Sequence, residues 1–159
     1  MSGTLYFNKV AIIGVGLIGG SLAIVLRNKG LAGSFMGIGR GRANLEAALR
    51  LGIIDSFTTD IEEGVRDADL VVVATPVRNI SGTIAKALPG LKKGCIVTDV
   101  GSVKKAVIDE VEPMMPEGVH FVPGHPIAGT EHSGAEAAFA ELFIDRRCII
   151  TPTDRTDRA

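Results

Sequence analysis

The sequence contains no tryptophan and one tyrosine, and aromatic residues make up only 4% of it. Any core must therefore be built from Val, Ile, Leu and Ala, which suits strands buried on both faces of a parallel sheet under helices. Neither sign of charge is in excess: 17 Lys and Arg stand against 18 Asp and Glu, a formal net charge of −1. Without a basic field nothing here would hold nucleic acid, and a small molecule is the expected partner. Cysteine is scarce too. Cys95 and Cys148 sit in apolar runs without metal-ligand spacing, so both are expected to be reduced, buried and inert, with no metal site. At 159 residues the chain is long enough for one compact domain and too short for two.

One segment imitates a membrane span or the apolar part of a signal peptide. Val10 to Leu26, "VAIIGVGLIGGSLAIVL", runs without a charge for nearly the length that a lipid-crossing helix needs. Its glycines, clustered between a β-branched run and a helix-forming run, read instead as strand, tight turn and helix. No membrane attachment is expected, and the cytoplasm is the expected location.

Cut at its glycines, the chain alternates short apolar runs with stretches rich in Ala, Leu, Glu and Lys. Runs beginning at Lys9, Ser34, Asp69, Cys95, Val119 and Arg147 predict six strands. The stretches between them predict helices at Leu17–Asn28, Arg42–Leu51, Ile61–Arg66, Asn79–Leu88 and Val103–Glu112, with a shorter one near Ser133–Glu141. This alternation predicts an α/β, Rossmann-like fold: a doubly wound, mostly parallel six-stranded sheet with helices on both faces. Residues 1–153 form the expected domain, and the polar residues 154–159 a tail or the start of a linker.

After the first strand comes "GVGLIGGS", in which Gly14, Gly16 and Gly19 have the G-x-G-x-x-G spacing. The first glycine permits a sharp turn, the second lets the backbone approach a pyrophosphate, and the third lets helix and strand pack closely. Leu17, Ile18 and Gly19 open the helix, whose free N–H groups and dipole attract phosphate. An NAD site usually has an acidic residue about twenty residues further on, against the adenosine ribose. None occurs between Gly14 and Leu45; the second strand ends "GIGRGR", with Gly39 at the expected acidic position and Arg40 and Arg42 just beyond. The cofactor is therefore expected to be NAD(P), with NADP favoured over NAD because a guanidinium there can pair with a 2′-phosphate.

In such sheets ligands lie beyond the carboxyl ends of the strands. Three loops reach that edge: "VATPVRN", "TDVGSVKK" and "PGHPIAGTE". Thr75 and Pro76 are expected beside the cofactor ribose. Asp99 and Ser102 precede a helix, so capping is one reading of both; Lys104 and Lys105 read as a solvated face. His120 lies in an apolar strand pattern and His132 at an exposed helix start. His125, between Gly124 and Pro126 at a strand's end, is placed where the nicotinamide is expected. Histidine titrates near neutrality and can take a hydroxyl proton as hydride leaves the same carbon.

"GLIGGS", "ATPV", "TDVGSVK" and "GHPIAGTEHSG", in this order and spacing, resemble the N-terminal domain of the prephenate/arogenate dehydrogenase family of tyrosine biosynthesis. The resemblance covers about Asn8 to Thr153. It implies oxidative decarboxylation of prephenate or arogenate with hydride transfer to NAD(P)+. It also implies that His125 accepts the hydrogen bond of the substrate's 4-hydroxyl, that Ser102 orients it, and that Thr130 and Glu131 line the pocket. The family's proteins continue into a helical domain that supplies the dimer interface and grips the substrate carboxylates. This chain alone is accordingly expected to bind cofactor with weak turnover, and a homodimer is expected only in a longer protein. Two other readings share the glycine loop: a different dehydrogenase, such as a β-hydroxyacid or imine reductase, and a nucleotide-sensing module without chemistry.

Overall fold

The computed structural model describes residues 6–157; the first five residues of the expected domain and the last two of the expected tail lie outside that range. The strands are β1 Phe7–Ile13, β2 Ala32–Ile38, β3 Ser56–Thr58, β4 Leu70–Val73, β5 Ile96–Asp99, β6 His120–Pro126 and β7 Cys148–Ile150. The α-helices are α1 Leu17–Asn28, α2 Arg42–Arg50, α3 Ile61–Val65, α4 Ile80–Ala87 and α5 Lys105–Val111. All strands join one sheet in the order β3-β2-β1-β4-β5-β6-β7. Every pairing is parallel except that of β6 with β7.

The aliphatic runs explain this architecture through the two-residue repeat of a strand. On β1 and β4, Ala11, Ile13, Val71 and Val73 face one way, into a core shared with Ile80 and Ile84 of α4 and Val107 and Val111 of α5. Val10, Ile12, Leu70 and Val72 face the other, toward Ala23 of α1 and Leu45 and Ala48 of α2. Both faces of the central strands are buried, as helices on both sides require. Replacing one fully buried aliphatic such as Ile12 by Ala would cost about 2–5 kcal/mol. Among the described residues no helix is long and apolar enough to cross a membrane, since the uncharged Val10–Leu26 stretch divides into β1, a turn and α1.

Three expectations need correction. The sheet has seven strands, because the three residues Ser56–Thr58 pair with β2; "SFT" is too short and too polar to stand out as a run. The helix expected near Ser133–Glu141 is two 3₁₀ turns, Ala135–Ala137 and Ala140–Phe143. The residues between them are spent on tertiary contacts: the Phe139 N–H donates to Ser21 Oγ at 3.0 Å, and the Ala138 methyl group lies over Gly20. Cys148, expected to be buried, is exposed on the edge strand β7, while Cys95 is buried.

Past β7 the chain runs back toward the amino ends of the strands. There Thr153 bonds Glu112, Arg155 donates to the Glu112 carbonyl at 3.2 Å, and Asp157 faces His120 at 3.6 Å.

Candidate active site

The strand order reverses between β1 and β4, and a cleft of about 610 Å³ opens at their carboxyl ends. This is the crevice where an open α/β sheet takes its ligand. Gly14, Gly16, Arg40, Thr75 and Pro76 line it. Leu17, Ile18 and Gly19 lie behind them, in the first turn of α1.

The glycine loop is shaped from two sides. Gly14 has φ +95°, and a Cβ there would lie 2.5 Å from the Ala74 carbonyl oxygen; one on Gly19 would lie 2.4 Å from the Gly14 oxygen. Both are needed for the turn and for close packing. Gly16 is different, because a Cβ there would meet no protein atom within 4 Å. What its missing side chain leaves open is the cleft itself.

Asp60 caps α3 by accepting the Glu63 N–H, and Glu62 and Glu63 occupy its first turn. Helices α1 and α2 begin at the cleft with Gly16 and Gly41, and have neither a side-chain cap nor an acidic first turn. Their amino ends are left for an anion. Thr75 Oγ1 is buried in the same cleft without a hydrogen-bond partner among the described residues, a condition that a ligand hydroxyl or phosphate would relieve. These features fit a dinucleotide.

The cleft is cationic. Arg40, Arg78 and Lys86 line it with no Asp or Glu. Arg42, the other arginine beyond Gly39, turns away to pair with Glu46 at 3.0 Å and to stack on the Phe57 ring. Asn44 ties this region together: its amide donates to the Val15 carbonyl at 2.7 Å, and its oxygen accepts the Ala135 N–H at 2.8 Å. Asn44, Arg78 and Lys86 escaped the sequence reading. Asn44 lies inside a helix with no motif around it, and the other two reach the cleft only because α4 and the turn before it border β4.

His125 sits near the carboxyl end of β6, opposite Ile149 of β7. It is two strands from β4 and half-buried, and its imidazole has no hydrogen-bond partner among the described residues. Ser102 is exposed in the loop after β5. It does not cap α5, which begins after Lys104 with no side-chain cap. Thr130 and Glu131 are exposed in the loop after β6, where Thr130 Oγ1 accepts the His132 N–H at 3.2 Å and Glu131 faces the exposed His132 at 3.4 Å. His125 in β6 and the other three, in the loops after β5 and β6, lie on one edge of the sheet, and no hydrogen bond joins His125 to them.

Asp99 and Lys104 also differ from expectation. Asp99 is buried and caps no helix: its carboxylate accepts the N–H groups of Gly101 at 2.9 Å and Gly124 at 3.3 Å and pairs with Lys104. Lys104, expected on a solvated face, is largely buried by that pair, whereas Lys105 is exposed beside Asp109. A buried carboxylate draws its counterion inward, which spacing along the chain does not reveal.

Known proteins share this fold. The cyclohexadienyl dehydrogenase of Zymomonas mobilis is 40% identical over 94% of this chain and 51% of its own length. The prephenate dehydrogenase of Aquifex aeolicus, solved with hydroxyphenyl propionate and NAD+, superposes with a TM-score of 0.89 at 38% identity over 98% of this chain and 54% of that one. The arogenate dehydrogenase of Synechocystis gives 0.86 at 34% identity, over 94% of this chain and 52% of that one. The chain thus spans about half the length of these relatives. The family described as "Prephenate dehydrogenase, nucleotide-binding domain" matches residues 22–159, a span that begins past the glycine loop and so adds to what the loop says. By that match the chain belongs to the prephenate dehydrogenase nucleotide-binding domain family.

Proposed function

We propose that this chain is the cofactor-binding part of a dehydrogenase that oxidatively decarboxylates prephenate or arogenate, and that it takes NADP+ in preference to NAD+. The observation that carries the reading is the partnerless imidazole of His125 on the same sheet edge as the glycine cleft, two strands from β4. A dinucleotide crossing the switch point has its nicotinamide half on that side. When bound, NAD(P)+ supplies the hydride acceptor. Gly14, Gly16 and the first turn of α1 would hold its pyrophosphate, and Thr75 and Pro76 would flank its ribose.

His125 accepts the proton of the ring 4-hydroxyl as hydride leaves C4. Ser102 orients that exchange, and Thr130 and Glu131 border the substrate. The ring carboxylate then departs as CO2, its bonding electrons complete the aromatic ring, and the phenolic oxygen recovers the proton. Aromatisation drives the step forward. The chain spans about half the length of these relatives, and weak turnover is expected of it alone. The NADP+ preference rests on Arg40, Arg78 and Lys86 with no carboxylate between them; a 2′-phosphate adds negative charge that such a cleft accepts.

Prephenate-dependent formation of NADPH tests the reading. Losing a general base typically costs about 100- to 10,000-fold in turnover, so His125→Asn should reduce the rate by that order and leave cofactor affinity unchanged. Turnover by the variant at the parent rate would exclude His125 from the chemistry. A chain that binds NADP+ and never turns over any cyclohexadienol would be a nucleotide-binding module.

A further inference from the structure

Of the ion pairs among the described residues, Asp99–Lys104 is the most deeply buried, with side chains 0% and 12% exposed. Removing two charges from water is costly unless each finds good partners. Neither charge caps α5. Both act on Gly124, the residue before His125. Asp99 accepts the Gly124 N–H at 3.3 Å, and the Lys104 ammonium donates to the Gly124 carbonyl at 2.6 Å.

Their position in the sheet explains why charges are used. The β5–β6 register ends with Asp99 opposite Pro123, and proline has no N–H to continue the ladder. Beyond that point the end of β6 is held to the β5 side by Asp99 and Lys104. Gly124 lies so close to β5 that a Cβ would come 2.9 Å from the Asp99 carbonyl oxygen. The same Asp99 carboxylate also accepts the Gly101 N–H at 2.9 Å, fixing the loop that carries Ser102.

We propose that Asp99 and Lys104 are positioning residues: their ion pair locks the Ser102 loop after β5 and the His125 end of β6 into one frame. The proposal rests on the reading of His125 and Ser102 given above. Its test does not depend on turnover.

The imidazole Cε1–H signals of the three histidines, recorded by NMR on this chain and assigned with His125→Asn, report each ring separately. In Lys104→Met and Asp99→Asn the His125 signal should shift and broaden or split, while those of His120 and His132 stay in place. NADPH affinity should remain within about twofold, because neither residue lines the cleft and distant sites act independently. Lys104→Arg, which keeps the charge and donors, should restore a single narrow His125 signal. Lys104→Gln, which keeps only a donor, should fall between Arg and Met and replaces Met should that variant not fold. An unmoved His125 signal, equal movement of all three, or failure of every Lys104 variant to fold would overturn the proposal and leave the pair a matter of stability alone. If the parent chain shows no reaction with prephenate, the functional reading fails while these signals still decide the positioning role.

Discussion

A Cβ on Gly14 would lie 2.5 Å from the carbonyl oxygen of Ala74, whereas one on Gly16, two residues on, would meet no protein atom within 4 Å. The two glycines therefore differ: the first answers to the fold, and the second borders the open cleft. Gly14→Ala should destabilise the chain by about 1–3 kcal/mol or more, through its positive φ and the clash. Gly16→Ala should leave stability within about 1 kcal/mol of the parent and weaken NADP+ binding about tenfold or more, as a methyl group enters the space proposed for the pyrophosphate. Urea denaturation and calorimetric titration of the two variants separate these effects.

The cysteines should behave oppositely toward a thiol reagent. Burial pushes the Cys95 thiol up to about 11, with Asp69 adding to the rise and Lys92 opposing it. At neutral pH it is a protonated, enclosed thiol, and the thiolate is the reactive form. Cys148 is exposed on β7. Native protein treated with iodoacetamide should be modified at Cys148 and spared at Cys95, with both modified in urea. Mass spectrometry of the digested protein checks this, and early labelling of Cys95 would contradict the packing of β5.

Stability should carry a signature of Asp69 at acid pH. The Lys92 ammonium, 2.5 Å away, holds the Asp69 carboxyl below the usual carboxylate range; burial opposes this, and the Asn8 and Lys9 N–H groups assist it. A lowered folded-state value means that the stabilisation is complete above the ordinary carboxylate pKa of about 4 and is lost as pH falls through the folded value. Asp69→Asn should therefore be less stable than the parent at neutral pH, with the gap narrowing at pH values below about 4. Denaturation midpoints across that range would show it; a gap that widens toward acid would reverse the sign of the argument.

The central sheet was legible because β1 and β4 carry aliphatic runs and helices α1, α2 and α3 start at Gly16, Gly41 and Asp60: α1 spans Leu17–Asn28, as the pattern predicts. What escaped lacks such a pattern. Ser56–Thr58 becomes a strand through the open edge of β2, and Ala135–Phe143 fails to become one helix because Ser21 and Gly20 claim its middle. The glycine loop, Arg40, Thr75 and Pro76 could be placed at the cleft, and His125 near the carboxyl end of β6, from motif and strand order. Lys104 could not, since its burial depends on Asp99 and on Gly124, which lies twenty positions away. Arg78 and Lys86 were equally hidden, as side chains brought to the cleft by α4 and its preceding turn rather than by a motif.

Calorimetric titration of this chain with NADP+ and with NAD+, repeated on Arg40→Asp, measures the cofactor preference itself. NADP+ should bind more tightly than NAD+ by about tenfold or more, and the order should reverse in the variant, where a carboxylate repels the 2′-phosphate and accepts a ribose hydroxyl. Equal affinities that Arg40→Asp leaves unchanged, or no binding of either dinucleotide, would contradict the account.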